Sequence, residues 1–216
     1  MRSKFDEQLR ELNSEMIVMS IMIEKAIQEA IDALFTQNVE KARAIMQEDD
    51  QVDQEQKKIE NICFQLLIQQ QPVARDLRTI TAAMKMVTDM ERIGDQAADI
   101  SELTIQMAES PYRLKIDNIK KMAVETMTML MQAVEAYVEQ DMFKAKEVID
   151  HDDVVDELFV QVKSELIEVM QKNTDYEEHA ADLLMVNKYL ERIGDHATNI
   201  AEWVIFSIDD HMGGNR

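Results

Sequence analysis

Glycine and proline are almost absent from this chain. Four glycines and two prolines make up six of its 216 residues, under about 3%, against roughly 12% in average usage. Sandwiches, barrels and alternating βαβ folds need many tight turns, and these two residues form most of them. Aromatic residues make up only 5%, which also disfavours a sheet rich in Tyr, Phe and Trp. The sequence therefore predicts an all-α protein.

The apolar residues recur at helical spacing. From Phe5 to Ala30 they alternate steps of four and three, a pattern typical of a bundle helix. Helix breaks are predicted near Asn38, Pro72, Pro111, Asp141 and Thr174. They divide the chain into six helices of about 30 residues, each about 45 Å long, and short connections make neighbouring helices antiparallel.

Several residues near these breaks have predicted positions. Asn38 and Asp141 should cap the second and fifth helices, and Thr174 should begin a capping box for the sixth. Pro72 should lie in the first turn of the third helix, where its missing N–H costs nothing.

The chain contains an internal duplication. Residues 37–53 and 140–156 share seven of 17 positions, and residues 91–102 and 191–202 share eight of 12. The offset changes from 103 to 100 at the turn between the second and third helices of each half, where length varies cheaply. The sequence therefore predicts two tandem three-helix bundles, 1–110 and 111–216.

Charge and cysteine content exclude several classes of protein. The formal net charge is −20, which disfavours a nucleic-acid partner because phosphate contacts need clustered Lys and Arg. The single cysteine excludes an intramolecular disulfide and a Cys-based zinc site, and favours a reducing compartment. The first residues, MRSKFDEQLRELNSEM, are charged, and no apolar stretch is long enough for a membrane span. We therefore expect a cytoplasmic protein.

Acidic side chains share one face of the third helix. Glu91, Asp95, Asp99 and Glu102 lie within about 80° of one another around an ideal helix, opposite the apolar residues. The second copy places four residues on the equivalent face: Glu191, Asp195, Asn199 and Glu202. Antiparallel packing should also set Asp53 level with Glu91 and Asp156 level with Glu191, with further acids one turn away.

Two interpretations of these acidic faces are open. Like charges at i, i+4 destabilise an isolated helix by ~0.2–0.5 kcal/mol per pair, and a bound cation would compensate for them. Carboxylates suit hard or borderline cations such as magnesium, manganese and iron, with zinc as a further possibility. The simpler interpretation is a solvated acidic face. The repeated spacing favours metal binding, although Asn199 in place of Asp99 means that the two sites need not be equivalent.

Other features have two readings or argue against catalysis. His196 could be a metal ligand or a surface bystander, while Gly94 and Gly194 indicate close approach of a helix or a ligand. Arg92 and Arg192 should form local ion pairs, and Cys63 should be buried. A ferritin-like di-iron site is disfavoured because no Glu-x-x-His pair occurs. With no nucleophile elbow or phosphate loop, we expect no enzyme, leaving a metal-dependent hydrolase as the minor alternative.

These motifs together resemble the PhoU family of phosphate-transport regulators. The paired ERIGD segments, the QQPVARDLR segment at 70–78 and the two units of about 100 residues carry the resemblance. It covers nearly the whole chain.

The resemblance implies a function. Members of the family repress the phosphate-starvation response when phosphate is plentiful, and are thought to link the Pst phosphate ABC transporter, through its ATPase subunit, to a sensor histidine kinase. Homodimers are common, and contact with the membrane is expected only through partners. Some members bind multinuclear metal clusters through motifs that correspond here to Glu91, Asp95 and Asp99, and to Glu191, Asp195 and Asn199. An accessory role for a different phosphate transporter is the alternative.

Overall fold

Six helices make up most of the computed structural model, which describes residues 2–70, 72–110, 116–172 and 176–209. The described residues contain no strand, so the all-α prediction is confirmed. The helices are α1 Arg2–Thr36, α2 Val39–Gln70, α3 Ala74–Met107, α4 Asp117–Glu139, α5 Met142–Lys172 and α6 Glu177–Ile208.

The connections that follow α1 and α4 are built alike. Gln37 and Gln140 have left-handed backbones, with φ of 53° and 55°, which turn the chain out of each helix. The next helix is then capped as predicted. Asn38 Oδ1 accepts from the Lys41 N–H at 3.0 Å, and Asp141 Oδ1 accepts from the Phe143 N–H at 2.9 Å. The duplication therefore includes the turns as well as the helices.

The prediction for Pro72 was wrong. The third helix begins at Ala74, and the backbone of Val73 before it is extended, with φ −75° and ψ 168°. Pro72 therefore lies before the helix and outside its first turn. The predicted capping box at Thr174 and the domain boundary at Pro111 lie outside the described residues and stay predictions.

The helices of the two halves pack against one another. Within the first half α1, α2 and α3 are in mutual contact, and so are α4, α5 and α6 in the second. Between the halves, α3 packs extensively against α6, and α1 packs against α4. The helices α1, α3, α6 and α4 thus form a closed ring, with α2 and α5 on its flanks. One continuous apolar core, from Phe5 to Val204, runs through both halves.

None of the helices, over the described residues, contains a stretch long and apolar enough to cross a lipid bilayer.

Candidate functional site

Two helix pairs, α2–α3 and α5–α6, each bring a group of carboxylates together. We call the first acidic cluster the set Asp49, Asp53, Glu91, Asp95, Asp99 and Glu102. The second acidic cluster is the set Asp152, Asp156, Glu191 and Asp195. The buried side of the helix that carries the ERIGD motif, α3 in the first half and α6 in the second, is apolar, as at Ile93 and Ile193. The carboxylates therefore point away from the apolar core, as the sequence predicts.

Two glycines let the paired helices approach closely. A Cβ on Gly94 would lie 3.1 Å from Val52 Cγ1 and 3.5 Å from Asp49 Oδ1. A Cβ on Gly194 would lie 3.1 Å from Val155 Cγ1 and 3.2 Å from an oxygen of Asp152. Of the two readings of these glycines, close approach of a helix is therefore confirmed in both halves. Because glycine has no side chain, Asp49 lies close to α3 at Gly94, and Asp152 lies close to α6 at Gly194.

Repulsion and burial act together in the first acidic cluster. Burial, followed by the carboxylates of Asp95, Asp53 and Glu91, raises the pKa of Asp49 to about 6. The pKa of Glu91 is also raised, chiefly by burial and then by Asp95. Carboxylates that disfavour each other's ionisation stand close together. Asp53 contributes to both shifts, so its predicted position beside Glu91 is confirmed.

The second acidic cluster repeats this electrostatic pattern. Burial raises the pKa of Asp152, and the carboxylates of Asp156 and Asp195 add to the shift. Burial and then Glu191 raise the pKa of Asp195. The four carboxylates that lie close together in the first half therefore have four equivalents that lie close together in the second. Glu202 is exposed about two turns beyond Asp195 and contributes to neither shift.

Basic side chains partly neutralise both clusters. Arg92 Nη1 lies 3.0 Å from Asp95 Oδ2, and its Nε lies 3.5 Å from Glu91 Oε2, so the predicted local ion pair of Arg92 is confirmed. In the second half Lys188 pairs with Glu191. Arg192 differs from Arg92 because it acts on Asp99 of α3, in the other half. Burial, then Asp95 and Glu102, raise the pKa of Asp99, and the charge of Arg192 partly opposes that rise.

The contact between α3 and α6 joins the two motif helices. Asp89 on α3 accepts from His196 Nδ1 at 2.8 Å and from Asn199 Nδ2 at 3.3 Å. His196 is therefore neither an isolated surface residue nor directed only at its own cluster. Because α6 covers part of α3, Glu91, Asp95 and Asp99 are half-buried, and the predicted outward acidic face is partly an interface.

The structure separates the sequence-predicted site residues into three groups. Those brought together are Asp53, Glu91, Asp95, Asp99 and Glu102 in the first half, and Asp156, Glu191 and Asp195 in the second. Asn199 is directed to Asp89, and Glu202 stands apart. Asp49 and Asp152, which the prediction placed one turn away among the further acids, also belong to the clusters. Their signal was the i, i+4 spacing to Asp53 and Asp156, which repeats the spacing of Glu91 and Asp95.

The donor chemistry of both clusters fits a hard cation. Carboxylate oxygens are the ligands that magnesium, calcium and manganese prefer. Burial, and then the carboxylates of Asp95, Asp53 and Glu91, raise the pKa of Asp49, and a nearby cation would favour its charged form. As the side chains lie, however, no three His, Cys, Asp or Glu residues in the described ranges converge enough to hold a metal ion. Metal binding at these residues stays a prediction.

A family model matches both halves of the chain. The PhoU domain model covers residues 16–104 and 119–204, and these ranges fall within α1–α3 and α4–α6. A curated relative from Clostridium acetobutylicum is 38% identical over 208 residues, covering 96% of this chain and 95% of the relative. That relative is named a phosphate-specific transport system accessory protein PhoU homolog.

Two solved structures have the same fold. The crystal structure of PhoU from Pseudomonas aeruginosa matches with a TM-score of 0.88 and 30% identity, covering 94% of this chain and 98% of the other. The phosphate transport system regulatory protein PhoU from Streptococcus pneumoniae matches with a TM-score of 0.85 and 26% identity. This match covers 94% of this chain and 96% of that one. The duplicated six-helix arrangement is thus shared along nearly the full length of these proteins.

Proposed function

Because this chain belongs to the PhoU family, we propose that it is a regulatory accessory protein of a phosphate-specific transport system. The observation that carries the proposal is the match of the whole duplicated chain to accessory proteins of that system, with 96% of this chain aligned to one of them. The two acidic clusters lie inside the matched ranges, at equivalent places in each half.

In more detail, the protein represses the phosphate-starvation response while phosphate is plentiful. It acts in the cytoplasm as a homodimeric adaptor, contacting the ATPase subunit of the Pst transporter and a sensor histidine kinase. A non-catalytic role is supported by the chemistry of the clusters, which are carboxylates with partial neutralisation by Arg92 and Lys188. Such surfaces suit binding to a cation or to a basic partner surface.

The acidic clusters are the proposed cation sites. In the first half Asp49, Asp53, Glu91 and Asp95 would hold the cation, and in the second Asp152, Asp156, Glu191 and Asp195 would do so. A divalent cation would favour the ionised form of Asp49, whose pKa is raised first by burial and further by the neighbouring carboxylates. The first cluster should bind more tightly, because Asp99 adds a carboxylate where the second half has Asn199.

Cation binding is tested with manganese. Isothermal titration of Mn²⁺ into the wild type should show two classes of site, and Asp49→Asn with Glu91→Gln should remove the tighter class. A matched control carries Glu11→Gln and Glu109→Gln, at exposed acids outside the clusters, and should bind as the wild type does. If the cluster variant and the control bound manganese equally well, Asp49 and Glu91 would not be ligands of the cation.

The regulatory role is tested in cells. Secreted phosphatase activity in phosphate-rich medium should rise when the gene is deleted and fall when the wild type is restored. The experiment includes medium without phosphate, where the deletion should change little. Unaltered phosphatase in the deletion strain under both conditions would refute the repressor role.

A further inference from the structure

One end of the molecule exposes large apolar side chains. Ile68, Phe143 and Val73 are exposed by 78%, 71% and 67%, more than any other large apolar side chain in the described ranges. Phe64 and Leu77 are exposed by 48% and 46%. We call these five residues the apolar tip. Monomeric proteins seldom group such side chains on a surface unless something binds there.

These residues come from different parts of the chain that meet at the same end. Phe64 and Ile68 lie in the last two turns of α2, and Val73 and Leu77 lie at the start of α3. The connection between α4 and α5 is also here, since Gln140 lines a groove with Val73 and Leu9. Phe143 follows Gln140 by three residues. The groove has a volume of about 300 Å³, enough for one or two side chains of another protein.

The duplication provides an internal comparison for the apolar tip. The positions equivalent to Phe143, Ile68 and Leu77 lie at the opposite end and are Glu40, Gln171 and Glu177, all exposed. Phe64 does have an apolar counterpart, Ile167, exposed by 40%. The same fold therefore tolerates polar residues at three of these positions. The helices do not require apolar side chains there, and so their presence at one end needs another reason.

A basic side chain lies beside the apolar tip. Arg75 lines the groove and is exposed, and within the described ranges its guanidinium forms neither an ion pair nor a hydrogen bond. The neighbouring Asp76 also lines the groove, but it lies in the first turn of α3, where a carboxylate is stabilised by the helix dipole. An unpaired arginine beside apolar side chains is a common anchor in protein interfaces.

We propose that the apolar tip is a docking surface for a segment of another protein that carries apolar side chains and a carboxylate. Apolar side chains of the partner cover Ile68, Val73 and Phe143, and its carboxylate pairs with Arg75. A second copy brings its own Arg75 and a net charge of −20, whereas the partner inferred here brings a carboxylate that Arg75 can pair with. The same net charge opposes an anionic membrane surface. The inference goes beyond the proposed function, since it assigns a surface and does not depend on the acidic clusters.

Site-specific photo-crosslinking of the full chain in its source cells tests the proposal. The photoreactive amino acid p-benzoylphenylalanine replaces Ile68 in one strain and, as the matched control, Gln171 in another. The crosslinked peptides are then sequenced. We expect crosslinks from position 68 to a defined segment of another protein containing apolar residues and Asp or Glu. Crosslinks only to lipid, only to this chain, only to a segment without an acid, or no more than at position 171 would each overturn the proposal.

A binding measurement completes the test. The crosslinked segment is synthesised, and its affinity is measured for the wild type and for Arg75→Glu, Ile68→Glu and Gln171→Glu. Arg75→Glu and Ile68→Glu should each weaken binding about tenfold or more, while Gln171→Glu should leave it unchanged. These side chains are exposed, so far-ultraviolet circular dichroism and the melting temperature should match the wild type. Equal affinity of all four proteins would overturn the proposal.

Discussion

Asp49 is a carboxylate whose ionisation the fold opposes. Burial and the neighbouring acids raise its pKa from 3.8 to about 6. Between these two values the folded protein retains a proton that the unfolded chain has released. The contribution of Asp49 to stability therefore falls as the pH rises through this window, and it stays unfavourable at neutral pH.

Replacing Asp49 by asparagine should stabilise the protein at neutral pH. Because Asp49 is half-buried, we expect a gain of only about 1 kcal/mol at pH 7 and almost none at about pH 4. Urea unfolding of Asp49→Asn and the wild type at both values measures the difference. Asp6→Asn, at an exposed aspartate outside the clusters, is the control. The same change in stability at both pH values would contradict this account of Asp49.

Gly94 keeps α2 close to α3. Alanine at this position gains about 1 kcal/mol in helix propensity, but its Cβ would lie 3.1 Å from the buried Val52, and overpacking costs about 1–3 kcal/mol. We therefore expect Gly94→Ala to lower the free energy of unfolding. Val52→Ala makes room, so it should cost less in the Gly94→Ala background than in the wild type. Chemical denaturation of the double-mutant cycle measures this coupling, and strictly additive effects would count against the close contact.

Individual site residues were predictable only to within about one helical turn. Counting from the turn between α2 and α3 correctly placed Asp53 near Glu91. The same count could not show that Asp49 lies against Gly94, because that depends on how closely the two helices approach. Gly94 in the middle of a helix indicated a close approach, but the sequence alone did not show whether a helix or a ligand approaches there.

At the scale of the helices, the contact between α3 and α6 accounts for the difference between Asp99 and Asn199. Burial raises the pKa of Asp99, and the basic Arg192 on α6 partly opposes that rise. Asn199 instead faces Asp89 and donates a hydrogen bond to it. An aspartate at position 199 would place two carboxylates at this contact. Asp99 and Asn199 therefore have different partners across the interface between α3 and α6.

Replacing Asn199 by aspartate should therefore destabilise the protein. We expect a loss of about 1–2 kcal/mol at pH 7, because a hydrogen bond is exchanged for repulsion between carboxylates. Adding Asp89→Asn should restore most of that stability. Guanidinium unfolding of the single and double variants measures both effects, with Asp99→Asn as the control at the equivalent position. If the second substitution worsened the first, the proposed pairing would be wrong.

The sequence predicted the helices well but not how α3 and α6 meet. Helix existence and capping follow from local residues, as at Asn38 and Asp141. Contact between the halves uses polar side chains such as Asp89 and His196, which lack an apolar period that could reveal the interface. His196 therefore looked like either a ligand or a bystander. Pro72 was misplaced for a related reason, since proline is compatible with both a first helical turn and the extended residues before it.

At the scale of the whole molecule, the duplication determines the architecture. Two three-helix units were predictable from the repeats, and the family model covers both of them. Their packing into one continuous core was not predictable, because it joins surfaces that each unit could equally expose. The consequence is that α3 and α6, which carry the two ERIGD motifs and their acids, pack directly against each other.

If the protein regulates through its acidic clusters, replacing their carboxylates should abolish repression. The most direct measurement is secreted phosphatase activity in phosphate-rich medium, in a deletion strain that expresses one of three proteins at equal level. These are the wild type, a cluster variant and a control variant. The cluster variant carries Asp49→Asn, Glu91→Gln, Asp152→Asn and Glu191→Gln. The control variant carries Glu11→Gln, Glu109→Gln, Glu147→Gln and Glu178→Gln, all at exposed acids outside the clusters.

The wild type and the control variant should restore low phosphatase activity. The cluster variant, although folded by circular dichroism and melting temperature, should leave the activity near that of the deletion strain. Both variants lose four carboxylates, so net charge alone cannot explain a difference between them. Full repression by the folded cluster variant would contradict the claim.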